Sequence, residues 1–230
     1  MFIYFIRHGQ SYVNLPDWAD GNTDTGLTEL GIRQAAALAD YLPNHLPQID
    51  GLYASTMMRA KETAQMLATA YGCEIYFDDR LREVGNNRMD HSPWPNDALP
   101  NQYADFWGSA RPFSPLVTDV DQGETWMHFR TRVGLFIEGL VERHYQESAV
   151  GTSQNAHQEN NIVAGCHGGV IEAAFHHIYN IGHRPMCEVW SHNTAITRFQ
   201  YVAHPNRESW RMRDHNRIDH LAGVEESAFF

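Results

Sequence analysis

Two short apolar runs in this chain end in the same pair of residues. Phe2-Ile3-Tyr4-Phe5-Ile6 runs into Arg7-His8-Gly9, and residues 162–166 run into His167-Gly168-Gly169. Aromatic and β-branched runs of this length read as buried strands, and open α/β sheets bind ligands beyond the carboxyl ends of their strands. Two imidazoles are therefore expected in one crevice. A glycine after each lets the backbone come close to a ligand, and the helix that follows offers N-terminal amides to an anion. Either histidine alone reads as structural; the same grammar at two strand ends is the argument for chemistry.

The cations point the same way. Lys61 is the single lysine beside sixteen arginines, and the planar guanidinium matches phosphate oxygens bidentately. Arg59 is expected in the first turn of a helix, where a cation faces the positive end of the macrodipole, and a bound anion would relieve that conflict. Arg7 stands beside His8 at the strand end. Two arginines, two histidines and helix amides make a cradle for a phosphoryl group, with Ser11 and Asn14 as polar auxiliaries and Thr23 and Gly168 in the candidate phosphate-binding set. For either arginine taken alone, pairing with an acid such as Glu62 is the plainer reading.

The elements that must position these groups follow from periodicity. A strand is expected over 2–6, then a polar loop over 14–26. Thr28 can cap a helix to about 42, with Leu30, Gln34, Leu38 and Leu42 at i+4 steps and Pro43 as the stop. A strand over 50–54 leads to a helix over 57–71, capped by Ser55 or Thr56, striped by Ala60, Ala64, Leu67 and Tyr71 and closed by Gly72. A third strand is expected over 74–77. Residues 85–122 hold Pro93, Pro95, Pro100, Pro112 and Pro115, with Trp94 and Trp107 and little periodicity. They read as a lid-like insertion, because long irregular segments in compact domains are usually functional or disordered. A helix over 124–146 presents Phe129, Val133, Phe136, Leu140 and Val141 on one face. A strand over 162–166, a helix over 170–180 and a hairpin over 195–202 and 210–213 complete the chain. The expected fold is α/β: a single domain over 1–230, a three-layer sandwich with a mostly parallel central sheet flanked by helices.

Composition narrows the partners. At 230 residues, 43% hydrophobic and 20% charged, the chain is long enough to bury a core without metal or disulfide. Seventeen basic against 28 acidic residues leave a net charge of −11, which repels a nucleic-acid backbone. Cys73, Cys166 and Cys187 are odd in number and widely spaced, so no disulfide framework or zinc knuckle is indicated and a reducing cytoplasm is expected. No apolar run reaches the ~18 residues of a membrane span. No nucleic acid, no membrane and no metal are expected, and a homodimer is compatible with the reading.

Arg7-His8-Gly9-Gln10-Ser11 with Asn14 resembles the RHGxSxxN signature of the histidine phosphatase superfamily, the phosphoglycerate mutase-like family. The resemblance extends over most of the chain. Asp24-Thr25-Gly26-Leu27-Thr28-Glu29-Leu30-Gly31 with Gln34-Ala35 looks like its D-x-x-L-T-x-x-G-x-x-Q-A segment, and residues 55–64 resemble its S-x-x-x-R-A-x-x-T-A. Leu81-Arg82-Glu83 resembles L-x-E, Gly123-Glu124-Thr125 resembles G-E-S, residues 166–170 resemble the second H-G-G, and Asn193-Thr194 with 216–221 resemble the C-terminal signature.

The resemblance implies a two-step phosphoryl transfer without cofactor. His8 would attack phosphorus in line to form a phosphohistidine that water hydrolyses, with Arg7, Arg59 and His167 balancing charge on the equatorial oxygens. Glu83 would protonate the leaving oxygen and then serve as base for the water. After Glu83 this chain reads Gly85-Asn86-Asn87-Arg88-Met89-Asp90 in place of the family's usual glycine and Trp-Glu-Gly, and His91 is a second candidate acid that reads otherwise as a loop histidine.

Other chemistries are set aside. No Walker A, G-x-S-x-G or H-E-x-x-H occurs, and Arg80 follows Cys73 at the wrong distance for a tyrosine-phosphatase loop. The segment Asp20-Gly21-Asn22-Thr23-Asp24 lacks the glycine and glutamate of a calcium loop. His215 and His220 with Asp214 and Asp219 are spaced unlike a common metal site. A mutase must grip a second phosphate, yet residues 84–118 carry only Arg88 and Arg111 against Asp90, Asp97 and Asp105. A phosphomonoesterase acting on a small phosphorylated metabolite is the leading expectation, ahead of a phosphoglycerate mutase-type transferase or a non-catalytic phospholigand-binding protein. Trp94, Tyr103, Phe106, Trp107 and Phe113 would either line the lid for a bulky alcohol or pack it onto the domain.

Overall fold

The computed structural model describes residues 1–16, 24–100, 103–104, 108, 110–118, 120–145, 159–184, 187–203 and 206–224. Six strands, β1 (Phe2–Arg7), β2 (Gly51–Ala54), β3 (Ile75–Phe77), β4 (Asn161–Cys166), β5 (Ile196–Tyr201) and β6 (Trp210–Arg217), form one sheet in the order β3-β2-β4-β1-β5-β6. The first four in that order run parallel, and β5 and β6 are antiparallel additions at one side. Among the described residues four helices flank it: α1 (Glu29–His45), α2 (Met58–Tyr71), α3 (Trp126–His144) and α4 (Gly168–Ile178). The mixed, mostly parallel α/β sheet matches the expected class.

Alternation along the central strands makes the layers. Ile3 and Phe5 of β1 and Ile162 and Ala164 of β4 pack with Phe129, Val133, Phe136 and Ile137 of α3 and with α4. Tyr4, Ile6 and Val163 point the other way, onto Leu38 and Leu42 of α1 and Leu67 of α2. Both faces are buried, so the central strands read as continuous apolar runs.

Several boundaries differ from expectation, each for a local reason. Pro43 lies inside α1; it forfeits its own N–H bond, yet so near the end of the helix Leu46 N–H still reaches the carbonyl of Leu42 at 2.8 Å. Neither Ser55 nor Thr56 caps α2. Its N-cap is Met57, which has no accepting side chain, and Asp24 caps it instead from a distant loop, accepting from Met58 N–H at 2.6 Å. Thr28 does cap α1, accepting from Gly31 N–H at 3.1 Å, and Gly72 closes α2 at φ 63, a left-handed position that glycine takes without strain. α3 begins after Thr125, whose hydroxyl accepts from His128 N–H at 3.3 Å, leaving Glu124 outside the helix. α4 begins two residues earlier than its apolar pattern suggests, with His167 as N-cap. Between 85 and 122 the described residues form a single 3-10 turn, Asn96–Ala98, and isolated bridges such as Arg88 to Gly123 and Tyr103 to Val117.

Candidate active site

β1 and β4 are paired in register, Arg7 against Cys166, so the residues that follow them leave the sheet side by side. His8 N–H continues the ladder to the carbonyl of Cys166 at 2.9 Å. The rings of His8 and His167 then meet edge to face with centroids 5.1 Å apart, and both side chains are buried. The two strand-end histidines do converge.

The tautomer of His8 is set by its neighbours. Nδ1 lies 2.7 Å from the carbonyl of Gly9, which can only accept, so the ring proton sits there. Nε2 therefore keeps its lone pair, and Arg59 Nε–H points at it from 3.0 Å. Burial, with Arg59 and then Arg7 close by, holds the imidazolium well below the ordinary histidine value, so the ring is neutral at pH 7. His167 is likewise pushed well down, by burial first and by Arg59 and His8 next. Its Nε2 lies 2.9 Å from Ser55 Oγ. Ser55 Oγ also accepts from Met57 N–H at 3.3 Å; with its own proton given to Nε2, His167 carries its ring proton on Nδ1.

Arg59, one residue into α2, is buried, and burial lowers its guanidinium to about 10. Arg7 donates to the carbonyl of Ser191. Its Nε and His167 Nδ1 are both buried without a hydrogen-bond partner. A buried donor left unmade costs about 1–3 kcal/mol, and an anion with several acceptor oxygens is the ligand that would satisfy both. Gly168 lies beneath Arg7: a Cβ there would stand 3.7 Å from Arg7 Nε.

Glu83 reaches the same place by an irregular route. Its carboxylate accepts from Val84 N–H at 2.9 Å and from Gly169 N–H, in the first turn of α4, at 3.3 Å. Gly169 permits the approach, because a Cβ on it would overlap Glu83 Oε1. Behind Glu83, Arg132 and Glu124 form a fully buried ion pair at 2.9 Å. Arg132 also donates to the carbonyls of Arg80, Arg82 and Glu83 at 2.8, 2.7 and 2.9 Å, and Glu124 accepts from Gly85 N–H at 2.7 Å.

Ser11 and Asn14 pair with each other, Asn14 Oδ1 accepting from both Ser11 N–H and Ser11 Oγ–H at 3.0 Å. Asn193 Nδ2 lies 3.5 Å from the same oxygen. Thr23, residues 20–22 of the calcium-like segment, Phe106 and Trp107 lie outside the described residues. Glu62 pairs with neither arginine and accepts from Leu27 N–H at 2.6 Å. His91 adopts φ 69 and packs toward His128, with ring centroids 6.4 Å apart. Trp94 lies under the guanidinium of Arg88 at 4.0 Å, whereas Phe113 is 67% exposed.

Sequence reasoning missed four contributors. Ser55, read as a cap, orients His167. Thr63 accepts from Gly9 N–H at 3.1 Å. Asn193 donates to the carbonyl of His8 at 3.1 Å. Arg132 carries no local signal beyond being a charge on the apolar face of an amphipathic helix. The His215, His220, Asp214 and Asp219 set is otherwise engaged: His215 donates to Trp190 O at 3.0 Å, His220 meets Thr194, and both aspartates pair with arginines. Among the described residues no group of three or more His, Cys, Asp or Glu is placed to hold a metal ion.

The model of the histidine phosphatase superfamily (branch 1) matches residues 3–217, and the chain belongs to that family; its enzyme class is histidine phosphatase. It is 29% identical over 198 residues, 85% of this chain and 87% of the relative, to "Putative phosphoserine phosphatase 2" of Hydrogenobacter thermophilus. Over 91 residues, 40% of this chain and 41% of the relative, it is 34% identical to "Probable phosphoglycerate mutase GpmB" of Yersinia pestis. The fold is shared with phosphoserine phosphatase from Entamoeba histolytica, solved with 3-phosphoglyceric acid, at a TM-score of 0.68 and 19% identity over 96% of this chain and 98% of that one. Among the described residues no helix is long and apolar enough to cross a membrane.

Proposed function

We propose that this protein is a metal-independent phosphomonoesterase that works through a phosphohistidine on His8 and acts on a small phosphorylated metabolite. The observation that carries the reading is the buried, neutral imidazole of His8, whose Nδ1–H is held by Gly9 and whose Nε2 lone pair lies among Arg59, Arg7 and His167. Nε2 attacks phosphorus in line, the N–P bond forming as the P–O ester bond breaks. Arg59 Nε–H, which holds the lone pair at rest, shifts to an equatorial oxygen as phosphate enters. Arg7 Nε–H and His167 Nδ1–H supply the two further donors that now lack partners. Glu83 acts as the general acid that gives a proton to the leaving alkoxide, then takes one from the water that splits the phosphohistidine. Inorganic phosphate leaves and His8 regains its lone pair.

Residues 85–122 act as the lid. Arg88 supports hydrolysis over mutase chemistry: its guanidinium is spent on Pro93 O at 2.7 Å and on the face of Trp94, and so is withdrawn from a second phosphate. The named activities of the relatives fit phosphorylated hydroxy acids as the substrate class. Phosphate release from a panel of such esters in EDTA, with acid-labile, alkali-stable label trapped on the protein during turnover, tests the reading. Activity abolished by EDTA would overturn it. Phosphate exchange between glycerate isomers without release would favour the mutase suggested by the Yersinia relative.

A further inference from the structure

The carbonyl of His8 receives two hydrogen bonds from one short turn. Thr194 N–H donates at 3.2 Å and Asn193 Nδ2–H at 3.1 Å. The same turn gives Ser191 O to the guanidinium of Arg7 and Ala195 O to its N–H at 3.3 Å. On the far side of the peptide, Gly9 N–H is held by Thr63. The His8–Gly9 peptide plane is thus clamped from both sides, and that plane holds the Cα of His8, which carries the imidazole, and the Cα of Gly9, whose carbonyl the ring is tied to.

The turn is not relaxed. Thr194 stands at φ 56, a left-handed conformation that costs a β-branched residue on the order of 1–3 kcal/mol and persists only where neighbours over-determine it. Thr194 Oγ lies 2.7 Å from Asn193 O and 2.9 Å from His220 Nε2. A carbonyl can only accept, so the hydroxyl donates to Asn193 and receives from His220 Nε2–H. His220 is buried in the short 3-10 turn Asp219–Leu221 that packs beside α1, its ring 5.7 Å from Tyr41. Two residues at the end of β6 tie down the rest: Asn216 Oδ1 accepts from His192 N–H at 2.7 Å and His215 Nε2–H donates to Trp190 O at 3.0 Å.

We propose that His220 is a positioning residue for phosphoryl transfer, clamping Thr194 in its left-handed conformation so that Thr194 and Asn193 fix the His8–Gly9 peptide and with it the reach of His8 Nε2. The inference rests on His8 as the nucleophile. His220 touches none of the groups that would grip phosphate, and Arg59 and His167 are carried by other elements.

The test is a steady-state and spectroscopic series on the full chain. Misplacing a reacting atom by about 1 Å can cost on the order of 10²-fold, so His220→Ala is expected to lower kcat by about 10- to 100-fold with KM nearly unchanged. His220→Gln, whose amide N–H can stand where Nε2–H stood, restores most of kcat. In a Thr194→Gly background, where positive φ carries no strain, adding His220→Ala costs little further, the non-additivity expected of coupled residues. Unchanged kcat in His220→Ala, a loss that follows only the folded fraction, or the same loss in the Thr194→Gly background would overturn the proposal. If His220→Ala does not fold, His220→Gln and the Thr194→Gly double variant decide. Should the wild type release no phosphate from any ester, the catalytic reading fails separately; imidazole 15N shifts of His8 that move in His220→Ala and return in His220→Gln still support the clamp, and unmoved shifts overturn it.

Discussion

The crevice at the ends of β1 and β4 and the segment that carries Glu83 are built on opposite plans. In the crevice, regular elements do the placing: two paired strands deliver Arg7, His8 and His167, and the first turn of α2 delivers Arg59. Around Glu83 there is no strand or long helix, and the backbone is held by the buried Arg132–Glu124 pair reaching the carbonyls of residues 80, 82 and 83. Sheet hydrogen bonds are spread over many residues, whereas the segment depends on a few buried side chains, Arg132 with Glu124 and Arg82, which donates to Asn96 Oδ1 and to Trp94 O at 2.7 and 3.0 Å. Losses in the crevice should therefore fall on chemistry, and losses behind Glu83 on stability as well.

The sharpest way to break this comparison is His8→Ala. Phosphate release is expected to fall by about four orders of magnitude or more, as when a nucleophile is deleted elsewhere, with the thermal midpoint unchanged; retained turnover would dismiss the mechanism. Arg132→Met is expected to destabilise the fold by about 3–5 kcal/mol, because it strands a buried carboxylate, and urea unfolding measures it. Arg59→Met should instead lose about 10²- to 10³-fold in kcat while the midpoint holds or rises, since burial works against its charge in the folded state. Equal destabilisation by the two arginine variants would erase the distinction.

Glu83→Gln should slow alkyl phosphates about 10²-fold more than nitrophenyl phosphate, whose leaving group needs no proton. Equal losses on both esters would remove Glu83 from the acid role. The pH dependence of stability sharpens the crevice side. Histidines held below their ordinary value in the folded chain bind fewer protons than when unfolded, so stability is full above about pH 6.5 and is lost as pH falls. His8 and His167 contribute through burial and the arginines, and His176 and His220, pushed by burial to about 4, place the loss between those limits. Thermal midpoints measured from pH 7 down to pH 4 check the sign. The smallest effect is that of Thr28→Ala, expected to cost about 1 kcal/mol through the cap of α1 and to leave kcat intact.

Much of the crevice was legible because its signals are local. A strand ending in His-Gly, a helix opened by Thr28 and closed by Gly72, and an arginine one residue into α2 are each read within a few residues. The cap of α2 was not legible: Asp24 lies 34 residues from Met58, and nothing near Ser55 or Thr56 discloses that Ser55 is engaged by His167. Arg132 was hidden because a cation on the apolar face of an amphipathic helix looks like a pattern error until its buried partner is known. Thr194 offered no sign of its left-handed backbone, since β-branched residues disfavour it and only His220, 26 residues on, explains it.

The sequence by itself determined which groups could do chemistry, their order on the chain, and the strands and helices that carry them, because residue type and periodicity act over neighbouring positions. Only the tertiary structure decided the protonation of His8, the surroundings of His167, the path that brings Glu83 to Gly169 and the turn that holds the His8 carbonyl. Each depends on burial and on hydrogen bonds between residues far apart in the chain, and both exist only once the sheet has brought those residues together.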